Sequence, residues 1–321
     1  MNLTHSSSWA LWGRTPESRY LHECWLLRHD FPLTVIGETD PGDVSADRTD
    51  RLRWTTDWAA LLADPELTGI VIAVPQDQRV ERICAALRAG KSVLVEGLPA
   101  MNVTELARIE AAISTSGQRI GSFFARGEDA DFAAAKFACR SGRLGQLRQI
   151  TWIGSEYALP ADNPQVMVPD DPEQTFREVG GWLIRQLLLI VEESPHTIQA
   201  WNLAATAGLQ IRVECPSGMS AWLESHRAAF SGLRTGWVVE GTLGAYRDGR
   251  LMTLVADGEL RSEPLLPPET DRNVWTELRR LLDQPEAARR SWRQSSQTVS
   301  LLHDCRASIH SGRPIVCSEI H

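Results

Sequence analysis

The chain is predicted to be an α/β protein in two parts. A doubly wound parallel sheet comes first, then an α+β domain with a large, mostly antiparallel sheet. Three observations predict this. Strand-like and helix-like segments alternate from Ser8 to Phe124, which implies right-handed crossovers and parallel pairing. After Asp129 helices give way to a series of strand-like runs broken by Gly, Pro and Asp turns. A length of 321 residues exceeds one small core and suits two domains, placed at 1–126 and 127–321.

The elements follow in order. Ser8 to Trp12 is a short apolar run ending at Gly13. Arg19 to His29 has helical spacing, with Leu21, Trp25, Leu26 and His29 on one side. Leu33 to Gly37 is a strand, followed by Glu38. Asp57 to Ala63 is a short helix capped by Thr56 or Asp57. Gly69 to Val74 is a continuous apolar run, as a strand covered on both faces should be. Gln78 to Ala89 is a helix stopped by Gly90, and Ser92 to Val95 is the next strand. Asn102 to Ser116 is a helix ending near Gly117, and Arg119 to Phe124 a strand.

Further on, Asp131 to Arg140 is a helix, Gly142 to Gly145 a turn, and Leu147 to Tyr157 a strand. A polar, proline-rich loop spans Pro160 to Pro172, with the pair Asp170 and Asp171 in it. Glu178 to Glu193 is a helix, and strands separated by turns occupy Thr197 to Leu260. Trp275 to Leu282 and Ser291 to Ser311 are helices, and Gly312 to Cys317 is a last strand.

Composition narrows the function. The net charge is −8 and the pI about 5.6, which argues against nucleic acid as a partner, because phosphate binding needs a basic face. The longest apolar stretch, Trp182 to Val191, is interrupted by Arg185 and Gln186 and falls far short of the ~20 residues that cross a bilayer. Neither a signal peptide nor a Cys-x-x-Cys pair is evident, so a cytoplasmic protein without a metal site is expected. The six cysteines read as small buried or incidental residues of a reducing compartment. The chain has only two lysines, Lys91 and Lys136, so a lysine-based mechanism has two candidates.

Several short motifs occur in a recognisable order. They are Ile72-Ala-Val-Pro75, Ala89-Gly-Lys-Ser-Val-Leu-Val-Glu96, Phe124-Ala-Arg126, Ser141-Gly-Arg-Leu-Gly145, Gly180-Gly181, Gly241-Thr-Leu-Gly244 and Ser308 to Val316. Together they resemble the Gfo/Idh/MocA oxidoreductases. The resemblance covers nearly the whole chain and implies an N-terminal Rossmann-like domain binding NAD(P), with a second domain for substrate and subunit association. It implies cofactor contacts from Gly13, Thr15, Glu38, Val74, Pro75, Glu96 and Arg126. Glu38 would favour NAD over NADP, because a 2′-phosphate would be repelled.

The chain departs from that family in three places. The family's Gly-x-Gly-x-x-Gly is Gly13-Arg-Thr-Pro-Glu-Ser18 here, with only the first glycine kept. Thr15 adds a branched side chain and Glu17 a negative charge where pyrophosphate would approach, so NAD binding is expected to be weak or absent. The family's Glu-Lys-Pro is Glu96-Gly97-Leu98, which removes its signature lysine. Its Gly-Gly helix normally carries an aspartate and a histidine four residues apart. Arg185 and Leu189 occupy those places, and leucine cannot move a proton.

Glu96, Tyr157, Arg185 and His226 are therefore the candidates for any relocated chemistry, with Glu156 as a neighbour. Arg126 and Arg185 suggest recognition of a small anionic or sugar-like ligand; alternatively Arg185 pairs with Glu96 or Glu178 to fill vacated space. The expected function is a Gfo/Idh/MocA-like shell that binds a ligand without the family's sugar or polyol dehydrogenation. The alternatives are an active oxidoreductase or lyase with relocated acid and base, and a structural subunit paired with an active relative. The resemblance also implies a homo-oligomer formed through the outer face of the second sheet, where Trp222 and Trp237 are expected.

Overall fold

The computed structural model describes residues 8–13, 32–37, 52–124, 130–155, 176–191, 193–204, 208–226, 236–255, 258–266 and 280–317. The helix expected at Arg19 to His29, the loop from Pro160 to Pro172, and most of the helix expected at Trp275 to Leu282 lie outside these residues. The chain divides into two compact units: 1–125 with 274–299, and 126–273 with 300–321.

The first unit holds a six-stranded sheet. Its strands are β1 (Trp9–Trp12), β2 (Leu33–Gly37), β3 (Arg53–Thr55), β4 (Gly69–Ile72), β5 (Ser92–Glu96) and β6 (Ile120–Phe123). They run in the order β3-β2-β1-β4-β5-β6, and every pair is parallel. This is the doubly wound dinucleotide-fold order. All residues of β1, β4, β5 and β6 are buried, as their unbroken apolar runs require of a sheet covered on both faces. The three-residue β3 was not foreseen: Arg-Trp-Thr has no strand period, and it is held as an edge strand by pairing with β2.

Caps place the first unit's helices. In α1 (Trp58–Ala63) Asp57 is the cap, accepting from the Ala60 N–H at 3.0 Å. Helix α2 (Gln76–Arg88) starts two residues earlier than the apolar period suggests, directly after Pro75. Helix α3 (Val103–Ser116) is capped by Asn102, which accepts from Glu105 N–H at 2.9 Å, while Glu105 accepts from Met101 N–H at 2.8 Å. It stops at left-handed Gly117. Trp9, Leu11, Ile36, Val71, Leu94 and Phe123 form much of the core, joined by Leu281 and Ala287.

The second unit has a nine-stranded sheet. Its strands are β7 (Leu147–Ser155), β8 (Thr197–Leu203), β9 (Gly208–Glu214), β10 (Ser220–His226), β11 (Gly236–Gly241), β12 (Gly244–Arg247), β13 (Arg250–Leu254), β14 (Leu260–Pro264) and β15 (Ile315–Val316). The order is β14-β13-β12-β11-β7-β10-β9-β8-β15, parallel only between β7 and β10. Both sheets therefore match the fold class read from the sequence. The unit's helices are α4 (Ala130–Arg140), a π turn (Phe176–Gly180) leading into α5 (Gly181–Ile190), and the end of α6 (Pro285–Ser311). The boundary between units at 299/300 falls inside α6.

The start of α6 belongs to the first unit and lies close to β6. The Ser291 hydroxyl donates to Ser122 O at 2.6 Å and accepts from Ser122 N–H at 3.1 Å, and the Ser122 and Ser295 hydroxyls are hydrogen-bonded. Among the described residues no helix is long and apolar enough to cross a membrane.

Candidate functional site

In open parallel sheets ligands bind beyond the carboxyl ends of the strands. Here that edge is formed by Gly13, the turn Val74-Pro75-Gln76, and Glu96-Gly97-Leu98. Gly13 has φ +89°, and its N–H donates to Gly37 O at 2.9 Å. A Cβ at this position would lie 2.6 Å from both Ala73 O and Val74 Cγ1. The first glycine of the motif is thus required by the scaffold itself, through its left-handed backbone and its close approach to β4. Val74 is buried and Pro75 exposed. Thr15, Glu38 and Arg126, the other expected cofactor contacts, lie outside the described residues, as do Glu156 and Tyr157.

The chemistry at this edge is supplied by a residue the sequence reading missed. Arg79, in the first turn of α2, folds back over the strand ends. Its Nε and Nη2 donate to Val74 O at 3.3 and 2.9 Å. Its Nη1 donates to Gln76 Oε1 at 2.6 Å and to Leu98 O at 2.7 Å. The guanidinium thereby ties the turn after β4 to the turn after β5. Gly97 has φ +80°, and a Cβ there would lie 3.1 Å from Arg79 Nη1. Burial pulls the Arg79 guanidinium down to about 10, against the negative charge of buried Glu96, which holds it up. It is still charged at neutral pH. Gln76 Nε2 is buried with no hydrogen-bond partner among the described residues.

A sequence signal for Arg79 existed. A basic residue in the first turn of a helix opposes the macrodipole, and here it follows the Val-Pro turn. The two actual lysines are committed elsewhere. Lys91 precedes β5, at the opposite sheet edge, and its Nζ donates to Asp64 O and, at 2.9 Å, to Leu67 O. Lys136 is buried on α4 with its ammonium 5.3 Å from the Phe132 ring centroid. Nearer the edge, Arg82 lies over Trp12 and Trp58, whose rings are 4.9 Å apart.

In the second unit Arg185 is buried on α5, at 6% exposure, while Leu189 is half-buried. Trp182 meets Trp152 edge-on at 5.2 Å, and Gln186 Oε1 accepts from Trp237 Nε1 at 3.1 Å. Helix α5 therefore packs on the sheet face that carries Trp152 and Trp237. His226 is on the other face. Along β10, Ala221, Leu223 and Ser225 are buried, whereas Trp222, Glu224 and His226 are half-buried. The structure thus places Arg185 and His226 on opposite sides of one sheet. Trp237 also corrects an expectation: it is 1% exposed on the helix-covered face, so of the two tryptophans only Trp222 is on the outer one.

That outer face carries a polar cluster. Glu224 Oε1 is 2.6 Å from His226 Nε2, and its Oε2 accepts from Gln210 Nε2 at 2.7 Å and Trp222 Nε1 at 3.0 Å. Burial pushes the Glu224 carboxyl up, but these hydrogen bonds outweigh it and hold the group below the usual carboxylate range. Three of the described cysteine thiols, Cys215, Cys305 and Cys317, are poor nucleophiles. Burial pushes Cys215 and Cys317 up to about 12 and Cys305 well above its ordinary value.

Comparison with known proteins defines a class by fold. The chain superposes on an NAD-binding protein from Listeria innocua with a TM-score of 0.80 at 18% identity, covering 97% of each chain. It also superposes on a myo-inositol 2-dehydrogenase from Lactobacillus plantarum with a TM-score of 0.74 at 15% identity, over 97% of this chain and 100% of that one. At such identities the likeness establishes the two-domain fold and nothing finer. In sequence, the chain is 29% identical over 120 residues to the uncharacterized oxidoreductase YhhX of Escherichia coli, a stretch that is 37% of this chain and 34% of that protein. The match thus spans about a third of its curated relative. No protein-family profile matches the chain.

Proposed function

We propose that this chain is an oxidoreductase of the Gfo/Idh/MocA type. The first unit holds a nicotinamide dinucleotide at the ends of β1, β4 and β5, and the protein acts on a sugar-like or polyol substrate with acid and base groups placed differently from the family's. The single observation that supports this most is superposition over nearly all of the chain on proteins named as NAD-binding and as a myo-inositol 2-dehydrogenase. The strand ends fit the cofactor. Gly13 closes its turn without a side chain, and the buried Gln76 Nε2 has a donor to offer. Gly13, Val74, Pro75 and Gln76 would line it, and bound nicotinamide would supply the hydride acceptor. The chain's own task at this edge is to orient the ring and keep a positive charge beside it.

A second reading is favoured by a separate observation. Gly97 and Leu189 carry no ionisable group, so the same scaffold would bind its ligand without redox chemistry. In either reading, we infer association of like chains through the outer face of the nine-stranded sheet, around Trp222 and Trp201, whose rings are 6.1 Å apart.

Titration with NADH and NADPH, followed by tryptophan fluorescence and melting temperature, tests the reading. Saturable binding is expected, with NADH preferred if Glu38 meets the ribose. At a hundredfold excess over Kd, binding should add about 2.7 kcal/mol of stability. Absence of binding at millimolar dinucleotide overturns the proposal. Tight binding with no reduction of NAD by any of a panel of polyols and cyclitols selects the second reading.

A further inference from the structure

We propose that Arg79 is the positive, ligand-facing group of the first unit, arriving from α2 to fill the place that a side chain at position 97 would otherwise take. Three geometric facts carry this. The first is competition for space. A Cβ at Gly97 would sit 3.1 Å from Arg79 Nη1, tighter than ordinary van der Waals contact, so a side chain at 97 and the guanidinium at 79 compete for the same space and one must shift for the other to fit. The backbone agrees, because φ +80° at residue 97 is left-handed, which glycine adopts without strain and lysine does not.

The second fact is fixation. Four hydrogen bonds to Val74 O, Gln76 Oε1 and Leu98 O hold the guanidinium across the two strand-end turns. A flexible lysine at 97 would have no such brace. The third is residual capacity. A guanidinium has five N–H groups, and these four bonds leave one Nη2 N–H without an acceptor among the described residues. Gln76, bonded to Arg79 through Oε1, has its buried Nε2 equally uncommitted. Two adjacent donors, one charged, form a recognition pair for an oxygen-bearing group of the ligand, anionic or carbonyl. Glu96 supplies the counter-charge that favours the ionised guanidinium in its partly buried setting.

The assignment deepens the dinucleotide reading, so the experiment separates the two. Arg79→Met, Gly97→Lys and the double variant are compared with the wild type by melting temperature and by NADH titration. Arg79→Met is expected to weaken NADH by about tenfold or more, the usual scale of one charge-assisted hydrogen bond. Gly97→Lys alone is expected to weaken it as well, through the clash. The double variant should recover most of the affinity, because the charge then comes from 97. A double variant that binds no better than Arg79→Met overturns the proposal.

Should the wild type bind no NADH, the dinucleotide reading falls, and the exchange is judged on stability alone. Backbone strain at 97 is common to both lysine variants and cancels in the cycle. Lysine at 97 must then cost several degrees less in the Arg79→Met background than in the wild type. Additive melting shifts overturn the proposal.

Discussion

The two sheets handle polar chemistry in opposite ways. In the parallel sheet of the first unit every residue of β1, β4, β5 and β6 is buried and the mid-strand Ser122 hydroxyl is bonded to Ser295, so no mid-strand side chain is left for a ligand. Polar groups collect beyond the strand ends, where glycines let backbone turns approach and where Arg79 reaches in from a helix. In the nine-stranded sheet, alternate residues face away from the helices, and the Glu224 cluster sits in the middle of a strand. The difference follows from coverage. Two covered faces push function to the edge, and one open face lets it spread over the strand.

The sharpest way to break this contrast is at the edge of the parallel sheet. Gly13→Val places a branched side chain at φ +89° and within 2.6 Å of Ala73 O. Strain and overpacking together should cost roughly 3–5 kcal/mol, seen as a large drop in the denaturation midpoint. A loss under about 1 kcal/mol would mean that the edge relaxes freely and is not fixed by backbone contact.

A smaller effect is expected where the second unit joins helix to sheet. Asp131 on α4 accepts from Trp237 N–H at 2.7 Å and from the Tyr246 hydroxyl at 2.7 Å. Asp131→Ala strands the Trp237 N–H and leaves the Tyr246 hydroxyl its longer bond to Asp131 O, at 3.3 Å, and Tyr246 and Trp237 are fully buried. The cost should be about 2–4 kcal/mol by chemical denaturation. Tyr246→Phe should cost less in the Asp131→Ala background than in the wild type, because the hydroxyl has by then lost its shorter bond to the Asp131 carboxylate. Additive losses from the two changes would show that they do not share one interaction.

The fold was legible because its signals are local. Gly69 to Ile72 is apolar throughout, Asn102 and Gly117 bracket a helix, and Ala221 to Ser225 alternate, and each signal survives in the structure. The site was less so. Gly97 itself carries no side chain, yet the group closest to its Cβ position comes from Arg79, eighteen residues earlier. Only the crossover that sets β4 beside β5 brings the two together. Arg185 and His226 were grouped as candidates because both are polar and both lie in the second domain. The strand period alone would have put His226 on a face with Trp222 and Glu224, but which face the helices cover is a tertiary fact.

The mildest test concerns that open face. Glu224 titrates below 4.5 in the folded protein, so the folded state binds fewer protons than the unfolded chain in the interval beneath that value. Its contribution to stability is therefore complete above 4.5 and is lost as pH falls through the folded pKa. Glu224→Gln keeps the shape and removes the titration. The variant should be less stable than the wild type at neutral pH by under ~1 kcal/mol, since the half-buried group is screened by solvent. The gap should close as pH falls below 4.5 and through the lowered folded pKa, because the wild type alone loses the ionised carboxylate's hydrogen bonds. Melting curves across that range read it directly. Parallel curves would mean that Glu224 keeps an ordinary proton affinity and that its bonds to Gln210, Trp222 and His226 merely order the surface. Set beside Gly13→Val, a small, pH-limited loss is what a sheet face open to water permits and a strand end closed by backbone does not.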